Sequence, residues 1–274
     1  MLSIFMYSRS ASLGNKGNFH NTVHFSASAG QTTRALMGLV KIFLSLFSLA
    51  FKALESVGIL WDIHTQASEF IYGKHGVSVR EPSNPVLKLS ACGIVQSIKE
   101  RKLTCREVIQ AFIDRIHEVN PLLNAVVGDR FEEALEEAKH IDEILDSCEA
   151  DAYEEKSLLL NKPLLGVPMT VKESLACKGF AHSAGLVDRK DTIASKDAGV
   201  VENLRRAGAI PIAVTNCSEL CMWWETANNV YGRTNNPYDT SKIAGGSSGG
   251  EGAIISAAGS VCGVGSDVGE FTDP

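Results

Sequence analysis

The second half of the chain alternates short apolar runs with helix-like segments, and this alternation constrains the fold more than any other feature of the sequence. Residues 164–171 and 209–214 are apolar runs of strand length, and the pattern of residues 197–206 between them predicts a capped helix. Residues 253–258 and 260–266 repeat the order of helix and strand. Strand, helix and strand joined by short turns favour a right-handed parallel connection. We therefore expect an α/β fold with a mixed, largely parallel sheet covered by helices.

Upstream of this region the sequence predicts further helices and a short strand. Residues 91–99 are apolar-periodic, and Thr104, followed three residues later by Glu107, has the spacing of a capping box. The helix that begins there is expected to end at Asn120-Pro121. The elements expected after it are a strand, a helix with an acidic solvated face and a polar loop, at residues 124–128, 129–145 and 149–157.

Composition excludes several classes of protein. The chain has 274 residues, of which 45% are hydrophobic and 21% charged, so it is long and apolar enough to bury a core and is not disordered as a whole. The net charge is −6, and the five positive charges of residues 1–54 leave −11 on the rest of the chain, which makes that acidic part a poor nucleic-acid binder. The seven cysteines are scattered and never spaced as Cys-x-x-Cys, which favours reduced thiols in a cytosol-facing protein and disfavours a structural metal.

The N-terminal region differs from the rest in charge. No Asp or Glu precedes Glu55, so residues 1–34 read as disordered or as a targeting segment. Residues 35–54 are mostly apolar, and their polar interruptions form one stripe of a helix. This pattern predicts a membrane-associated helix, either interfacial or spanning, on a cytosol-facing or organelle membrane. An amphipathic helix packed on the core is the alternative, and residues 55–86 are expected to be a linker.

A glycine-rich run at residues 245–252, with the sequence Gly-Gly-Ser-Ser-Gly-Gly-Glu-Gly, precedes an expected helix. Its amides could bind an anion, although it lacks the spacing of the known phosphate-binding and dinucleotide-binding loops. It could also be a flexible linker. The third interpretation is that two serines are carried into a catalytic centre by a backbone that side chains do not obstruct.

A lysine favours the catalytic interpretation. Lys172 follows an apolar strand in the run Gly-Val-Pro-Met-Thr-Val-Lys-Glu at residues 166–173. Burial disfavours the charged ammonium, and a neutral amine can accept a proton. A serine with this lysine as its base is a simpler pairing than a Ser-His-Asp triad, which would have to recruit His182 from outside these motifs. A surface lysine is the alternative.

Together these motifs resemble the amidase signature family. The resemblance is carried by the runs GVPMTVKE, TNCSE, NNPY and GGSSGG at residues 166–173, 215–219, 235–238 and 245–250. It implies that residues 87–269 are the N-terminal part of an amidase domain that hydrolyses amides by a Ser-cisSer-Lys mechanism. Lys172 would be the base and Ser247 the bridging cis serine. The loop that binds substrate or the oxyanion would comprise Gly246, Ser248, Val268 and Gly269.

The same resemblance implies long-chain fatty-acid amides as substrates and a membrane surface as a partner. It implies an enzyme without a cofactor or a metal, and it is compatible with a homo-oligomer.

The chain departs from the family pattern where the nucleophile belongs. The family reads Gly-Thr/Ser-Asp-Ile-Gly-Gly-Ser, and residues 265–271 read Gly-Ser-Asp-Val-Gly-Glu-Phe, so Phe271 stands in the nucleophile position and no nucleophile is assigned. Residues 270–274 are a divergent tail. We expect a truncated, inactive chain, in which the strand at 260–266 lacks later neighbours. Two alternatives stay open: a non-catalytic, membrane-attached remnant that binds a full-length relative, and an anion-binding α/β protein.

Overall fold

The computed structural model describes residues 3–8, 76–147 and 153–267. They belong to one compact unit, Met1–Ala11 with Gly76–Pro274, while a second unit, Ser12–His75, lies outside the described residues. The expected membrane-associated helix at residues 35–54 and most of the expected linker therefore also lie outside them. Within the part that is described, no helix is long and apolar enough to cross a membrane.

The centre of the structure is a mixed five-stranded sheet. Its strands span Ser3–Ser8 (β1), Val126–Asp129 (β2), Pro168–Lys172 (β3), Ile210–Thr215 (β4) and Cys262–Asp267 (β7), and a separate small pair comprises Ala227–Asn228 (β5) and Gly232–Arg233 (β6). The spatial order in the large sheet is β1, β7, β3, β4 and β2. The three inner strands run parallel, and both outer strands run antiparallel to their neighbours. The predicted mixed, largely parallel sheet is confirmed.

Helices cover the sheet. They span Ala91–Lys99 (α1), Cys105–Leu123 (α2), Phe131–Asp146 (α3), Tyr153–Leu160 (α4), Gly199–Arg206 (α5) and Gly249–Ser256 (α6). Short 3-10 helices occur at Pro85–Lys88, Val187–Arg189 and Glu219–Cys221. Apolar side chains of α2, α6 and the inner strands form the core, with Phe112, Ile254, Val171 and Ile212 each at most 1% exposed. Burial of one such side chain contributes about 1.5–3 kcal/mol.

Helix α2 begins as the sequence predicts and ends later. The Thr104 hydroxyl accepts a hydrogen bond from the amide of Glu107, whose carboxylate accepts one from the amide of Thr104, which is a complete capping box. The expected end at Asn120-Pro121 is wrong, because the helix continues to Leu123 and stops at Asn124 in the left-handed conformation. Pro121 has no N–H to donate to the carbonyl oxygen of His117, so it removes one hydrogen bond near the end of the helix without ending it.

Two other local predictions are wrong. The expected polar loop at residues 149–157 overlaps α4, Tyr153–Leu160, which buries Leu159. The expected cap of α5 is absent, since the Asp197 carboxylate accepts a hydrogen bond from the amide of Lys178 at 2.7 Å rather than from the helix. A hydrogen bond to a residue 19 positions away in the chain takes the place of the expected helix cap.

The edge of β7 is covered by the chain's own N-terminus. Strand β1 pairs with β7 in an antiparallel register from Ser3 opposite Asp267 to Ser8 opposite Cys262. Within residues 1–34, which the sequence predicts to be a disordered or targeting segment, the structure describes this one strand, and the strand predicted at 260–266 has an earlier strand on each side. Pairing both edges of β7 satisfies backbone groups that an exposed strand would present to other chains.

Candidate active site

Lys172 is the last residue of β3 and is completely buried. Its Nζ donates hydrogen bonds to Ser247 Oγ at 2.7 Å and to the carbonyl oxygen of Ser266 at 2.8 Å. The strand carries it there because β3 is buried along its full length and pairs with β7 on one side and β4 on the other. The two side chains singled out from the sequence, 75 residues apart, are therefore in direct contact.

The glycine-rich run places Ser247 by close backbone approach. The peptide bond between Gly246 and Ser247 is cis. A Cβ atom at Gly246 would lie 2.7 Å from the carbonyl oxygen of Trp223, and one at Gly250 would lie 2.4 Å from that of Asn216. Neither position has room for a side chain, so the glycines let the run pack against the loop that follows β4.

Ser248 connects this run to the end of β7 by two hydrogen bonds. Its hydroxyl donates to the carbonyl oxygen of Ser266 at 3.1 Å and accepts from the amide of Ser266 at 3.3 Å. The other residues expected in the substrate or oxyanion loop, Val268 and Gly269, lie outside the described residues, as does Phe271.

A cavity of about 370 Å³ opens in front of Ser247. Its mouth is apolar, because it is formed by the side chains of Met222, Trp223 and Trp224, which are 69%, 59% and 74% exposed. Among the residues that the structure describes, its lining comprises Cys221, Met222, Trp223, Trp224, Gly246, Ser247 and Asp267. Sequence reasoning missed residues 222–224. The run Met-Trp-Trp shortly after a buried strand was the available signal.

The backbone around Cys221 is held in an unusual conformation. Leu220 and Cys221 have φ values of 51° and 59°, in the left-handed region that costs a non-glycine residue about 1–3 kcal/mol. The amide of Leu220 donates to the carbonyl oxygen of Ala184 at 2.8 Å, and that of Cys221 to Ser218 at 2.9 Å. These bonds hold the turn that aims Cys221 and Met222 at the cavity.

The environment of Cys221 favours its thiolate. The neighbouring Cys217 thiol, the charge of Lys172 and the Ser174 hydroxyl lower the pKa of Cys221 to about 5, against the opposing effect of burial. The neighbouring Cys221 and burial raise the pKa of Cys217 well above its usual range, and the Cys217 thiol donates to Glu173 Oε2 at 3.9 Å. Sequence reasoning considered the cysteines only for disulfides and a structural metal, and it did not single out Cys217 or Cys221.

A buried carboxyl group lies beneath the lysine. Glu251 is completely buried, and its two oxygens accept hydrogen bonds from the hydroxyls of Thr170 at 2.7 Å and Thr215 at 2.8 Å. Burial raises the pKa of Glu251 to about 7, and the two hydroxyls and Lys172 act in the opposite direction. Thr170 lies two residues before Lys172 and therefore on the same face of β3. Glu251 was not singled out from the sequence.

A second buried carboxylate, Glu173, ties the end of β3 to the surrounding loops. It accepts hydrogen bonds from the amide and hydroxyl of Ser183 at 2.5 and 2.7 Å and from the Tyr231 hydroxyl at 3.0 Å. Its own amide donates to the carbonyl oxygen of Thr215. Burial raises the pKa of Tyr231 to about 12, and Glu173 adds to the effect. These contacts fix the backbone next to Lys172.

The site combines a buried amine, a hydroxyl at proton-transfer distance and an apolar cavity. An amine and a hydroxyl 2.7 Å apart can exchange a proton. The arrangement suits base-assisted chemistry on a ligand in the cavity.

Comparison with known proteins identifies the family of this chain. The family model described as Amidase matches residues 107–270. Fatty-acid amide hydrolase 2-A of Danio rerio is 53% identical over 72% of this chain and 36% of its own length. Fatty-acid amide hydrolase 2 of Homo sapiens is 52% identical over 69% of this chain and 35% of its own length. The chain thus spans about a third of the length of these curated relatives.

Two solved structures have a fold similar to that of this chain. A fatty acid amide hydrolase superposes with a TM-score of 0.61 and 29% identity, covering 68% of this chain and 31% of that chain. A 6-aminohexanoate cyclic dimer hydrolase complexed with substrate superposes with a TM-score of 0.54 and 28% identity, covering 64% of this chain and 33% of that chain. With the family model matching more than half of its residues, the chain belongs to the amidase signature family.

Proposed function

We propose that this chain carries the base and proton-relay part of an amide-hydrolase site. The observation that carries the proposal is the 2.7 Å contact between Lys172 Nζ and Ser247 Oγ at the end of β3, facing the cavity. In its neutral form the lysine takes a proton from Ser247, which in turn takes one from an attacking serine. Because Lys172 is completely buried, its amine is shielded from bulk water.

The proposed substrates are fatty-acid amides. Met222, Trp223 and Trp224 give the cavity an apolar mouth suited to an acyl chain, while Ser247 lies on its wall for the amide. The names of the two relatives above specify the same substrate class. Both arguments support an apolar acyl group rather than a charged one.

An anion-binding function is less well supported. In a phosphate-binding loop the first amides of the following helix point at the ligand. Here the amide of Gly249, the first residue of α6, donates to the Thr226 hydroxyl at 2.8 Å. That amide is occupied within the protein, which favours the amidase interpretation of the run.

We also propose that a chain of this sequence does not turn over amides. Glu270 and Phe271 stand where the family has glycine and the attacking serine, and a phenyl ring cannot attack a carbonyl carbon. Glu270 also replaces a glycine in the loop expected to supply oxyanion amides. Lys172 and Ser247 then form a relay without a nucleophile to activate.

A chimera tests the amidase proposal. Residues 1–269 of this chain are joined to the part of human fatty-acid amide hydrolase 2 that follows the corresponding position, and hydrolysis of dodecanamide is measured. We expect hydrolysis by the chimera and none by the natural chain. A folded chimera that does not hydrolyse any fatty-acid amide would overturn the assignment of substrate class.

A fluorophosphonate probe tests the inactivity of the natural chain, because it labels activated serines irrespective of substrate. We expect no labelling of the natural chain and labelling of the chimera. Labelling of the natural chain that disappears in Ser247→Ala or Lys172→Ala would show a working site and contradict the proposal.

For residues 35–54 we propose membrane attachment, supported by the single polar stripe Lys41, Ser45, Ser48 and Lys52 opposite a Leu/Phe face. A reporter fused to residues 1–60 is expected in the membrane fraction. Phe43→Glu with Phe47→Glu, on the apolar face, should release it, and Ser45→Glu, on the polar face, should release it less. A wild-type reporter found entirely in the soluble fraction would refute the proposal.

A further inference from the structure

One carboxyl group lies between helix α6 and three strands of the sheet. Glu251 is in the first turn of α6, four residues after Ser247. Its Oε2 accepts a hydrogen bond from the Thr170 hydroxyl of β3 at 2.7 Å, and its Oε1 accepts one from the Thr215 hydroxyl of β4 at 2.8 Å. On β7, a Cβ at Gly263 would lie 1.8 Å from Oε2, so only glycine leaves room for the carboxyl group. The carboxyl group therefore lies against all three parallel strands.

These contacts lie next to the two residues of the proposed relay. Thr170 and Lys172 are two residues apart on β3 and therefore on the same face of the sheet. Lys172 pairs with Thr215 in the register of β3 and β4. Ser247 lies on the run that leads directly into α6. A shift of α6 on the sheet would move Ser247 relative to Lys172, and the two hydrogen bonds of Glu251 oppose such a shift.

Stability does not account for a carboxyl group at this position. Glu251, Thr170 and Thr215 are completely buried, on the face of the sheet that the apolar residues Ala253 and Ile254 of α6 also help to cover. Burial is the main cause of the raised pKa of Glu251, about 7, so this environment penalises the ionised group. Replacing all partners of a buried polar cluster by apolar groups of the same shape can be neutral or stabilising. The direction of the hydrogen bonds explains the cluster better than their contribution to stability.

We propose that Glu251 is a positioning residue for the proton relay. Its two hydrogen bonds hold α6 on the sheet, so that the Ser247 hydroxyl stays within hydrogen-bonding distance of the Lys172 amine. The inference rests on the proposed function, because the contact that Glu251 maintains is the relay of amide hydrolysis. A misplacement of about 1 Å in a catalytic group can lower a rate about 100-fold.

The conservative variant Glu251→Gln separates the hydrogen bonds from the charge. A carboxylate accepts one hydrogen bond from each threonine, whereas a glutamine side chain accepts through its oxygen and donates through its NH2 group. A threonine hydroxyl can be donor or acceptor, so glutamine can keep both contacts. We therefore expect Glu251→Gln to retain the geometry of the relay.

The combined variant Thr170→Val, Thr215→Val and Glu251→Met removes both hydrogen bonds and nearly keeps the volume. It leaves no member of the cluster as a buried donor or acceptor without a partner. We expect its urea unfolding midpoint at pH 7 to equal or exceed that of the wild type. A lower activity in this variant is then not due to unfolding.

The first test measures the geometry in the natural chain and does not depend on activity. Crystal structures of the wild type, Glu251→Gln and the combined variant give the distance from Lys172 Nζ to Ser247 Oγ, which is 2.7 Å. We expect this distance to stay within about 0.3 Å in Glu251→Gln and to exceed about 3.5 Å in the combined variant. An unchanged distance in the combined variant would overturn the proposal, whether or not amides are hydrolysed.

The second test measures kcat and KM for dodecanamide in the chimera. None of the three substituted residues lines the apolar cavity, so the combined variant should lower kcat at least about tenfold and leave KM within about threefold. Glu251→Gln should keep kcat within about threefold. Equal kcat in the wild type and the combined variant would contradict the positioning role.

The matched control is Ser260→Ala. It removes another buried hydroxyl, which donates to the carbonyl oxygen of Cys262 at the start of β7, whereas Lys172 contacts the far end of that strand at Ser266. We expect its kcat to stay within about twofold of the wild type. A tenfold loss in this control would show that any buried hydroxyl matters as much, and would overturn the special role of Glu251.

The two tests separate this inference from the proposed function. If the wild-type chimera does not hydrolyse amides, the proposed function fails, and the crystallographic distances still decide the positioning role. If the combined variant does not fold, Thr170→Val and Thr170→Ser take its place, because serine keeps the donor and valine does not. We expect a longer distance between Lys172 and Ser247 and a kcat at least about fivefold lower in Thr170→Val than in Thr170→Ser, and equal values would refute the proposal.

Discussion

Replacing Glu251 by glutamine removes a buried ionisable group from beneath Lys172 while nearly preserving its shape. The carboxyl group is completely buried and accepts hydrogen bonds only from two hydroxyls among the described residues, those of Thr170 and Thr215. Burial raises the pKa of Glu251 from 4.5 to about 7. Glutamine stays neutral at every pH, so the variant isolates the contribution of this one ionisation.

The sign and size of the effect follow from that rise. Because the folded protein holds this proton more tightly than the unfolded chain, the contribution of Glu251 to stability is fully present below pH 4.5 and is lost as the pH rises through about 7. At ~1.36 kcal/mol for each pH unit the total is about 3 kcal/mol. About 2.5 kcal/mol of this falls between pH 5 and pH 8.

The assay is urea unfolding followed by circular dichroism at several pH values from 5 to 8. We expect the free energy of unfolding of the wild-type chain to fall over this range by about 2.5 kcal/mol more than that of Glu251→Gln. The control is Glu136→Gln, at a side chain that is 77% exposed, whose pH dependence should match the wild type. Equal pH dependence in wild type and Glu251→Gln would refute the reasoning.

Three further predictions concern packing. Deleting residues 1–11 removes six cross-strand residue pairs from the edge of β7, so it should lower the free energy of unfolding by about 2 kcal/mol and promote aggregation. An unchanged unfolding midpoint with monodisperse elution would contradict this. Gly263→Ala should destabilise the fold by about 2–3 kcal/mol in urea unfolding, because its Cβ would lie 1.8 Å from a Glu251 oxygen. Gly252→Ala, in a helix and with no atom within 4 Å of its Cβ, should instead stabilise the fold by ~0.5–1 kcal/mol, and a loss would count against the packing argument.

The fold was predictable where local chemistry decides it. The capping box at Thr104 and Glu107 specifies the start of α2 within the helix's own first turn. The apolar runs that became β3 and β4 have the length and composition of buried strands. The capping box joins two residues that are close in sequence, and the two strands are stabilised by burial of their side chains in the core.

The fold was not predictable where a distant partner decides it. Strand β1 is defined by pairing with β7, more than 250 residues away, and nothing within Ser3–Ser8 indicates that partner. Asp197 has the residue type of a helix cap, yet its carboxylate binds the amide of Lys178. Long-range contacts of this kind override local preference.

The same distinction holds for the candidate site. Lys172 and Ser247 could be singled out because each lies in a motif whose chemistry needs that residue type. Cys221 and Glu251 could not be singled out, because their roles depend on neighbours that are distant in sequence. The neighbour of Cys221 is Lys172, and that of Glu251 is the Thr170 hydroxyl. A cysteine in a loop and a glutamate in a glycine-rich run carry no such information in sequence.

The central claim is that Lys172 and Ser247 act together as base and proton relay, and the most direct measurement is the initial rate of dodecanamide hydrolysis by the chimera. We predict that Lys172→Ala and Ser247→Ala each lower the rate by at least about 10³-fold, because residues that act as a unit are each indispensable. Ser97→Ala, which removes a remote serine bonded to a helix carbonyl, should leave it within about twofold. A folded Lys172→Ala or Ser247→Ala chimera that retains more than about a tenth of the rate would contradict the account.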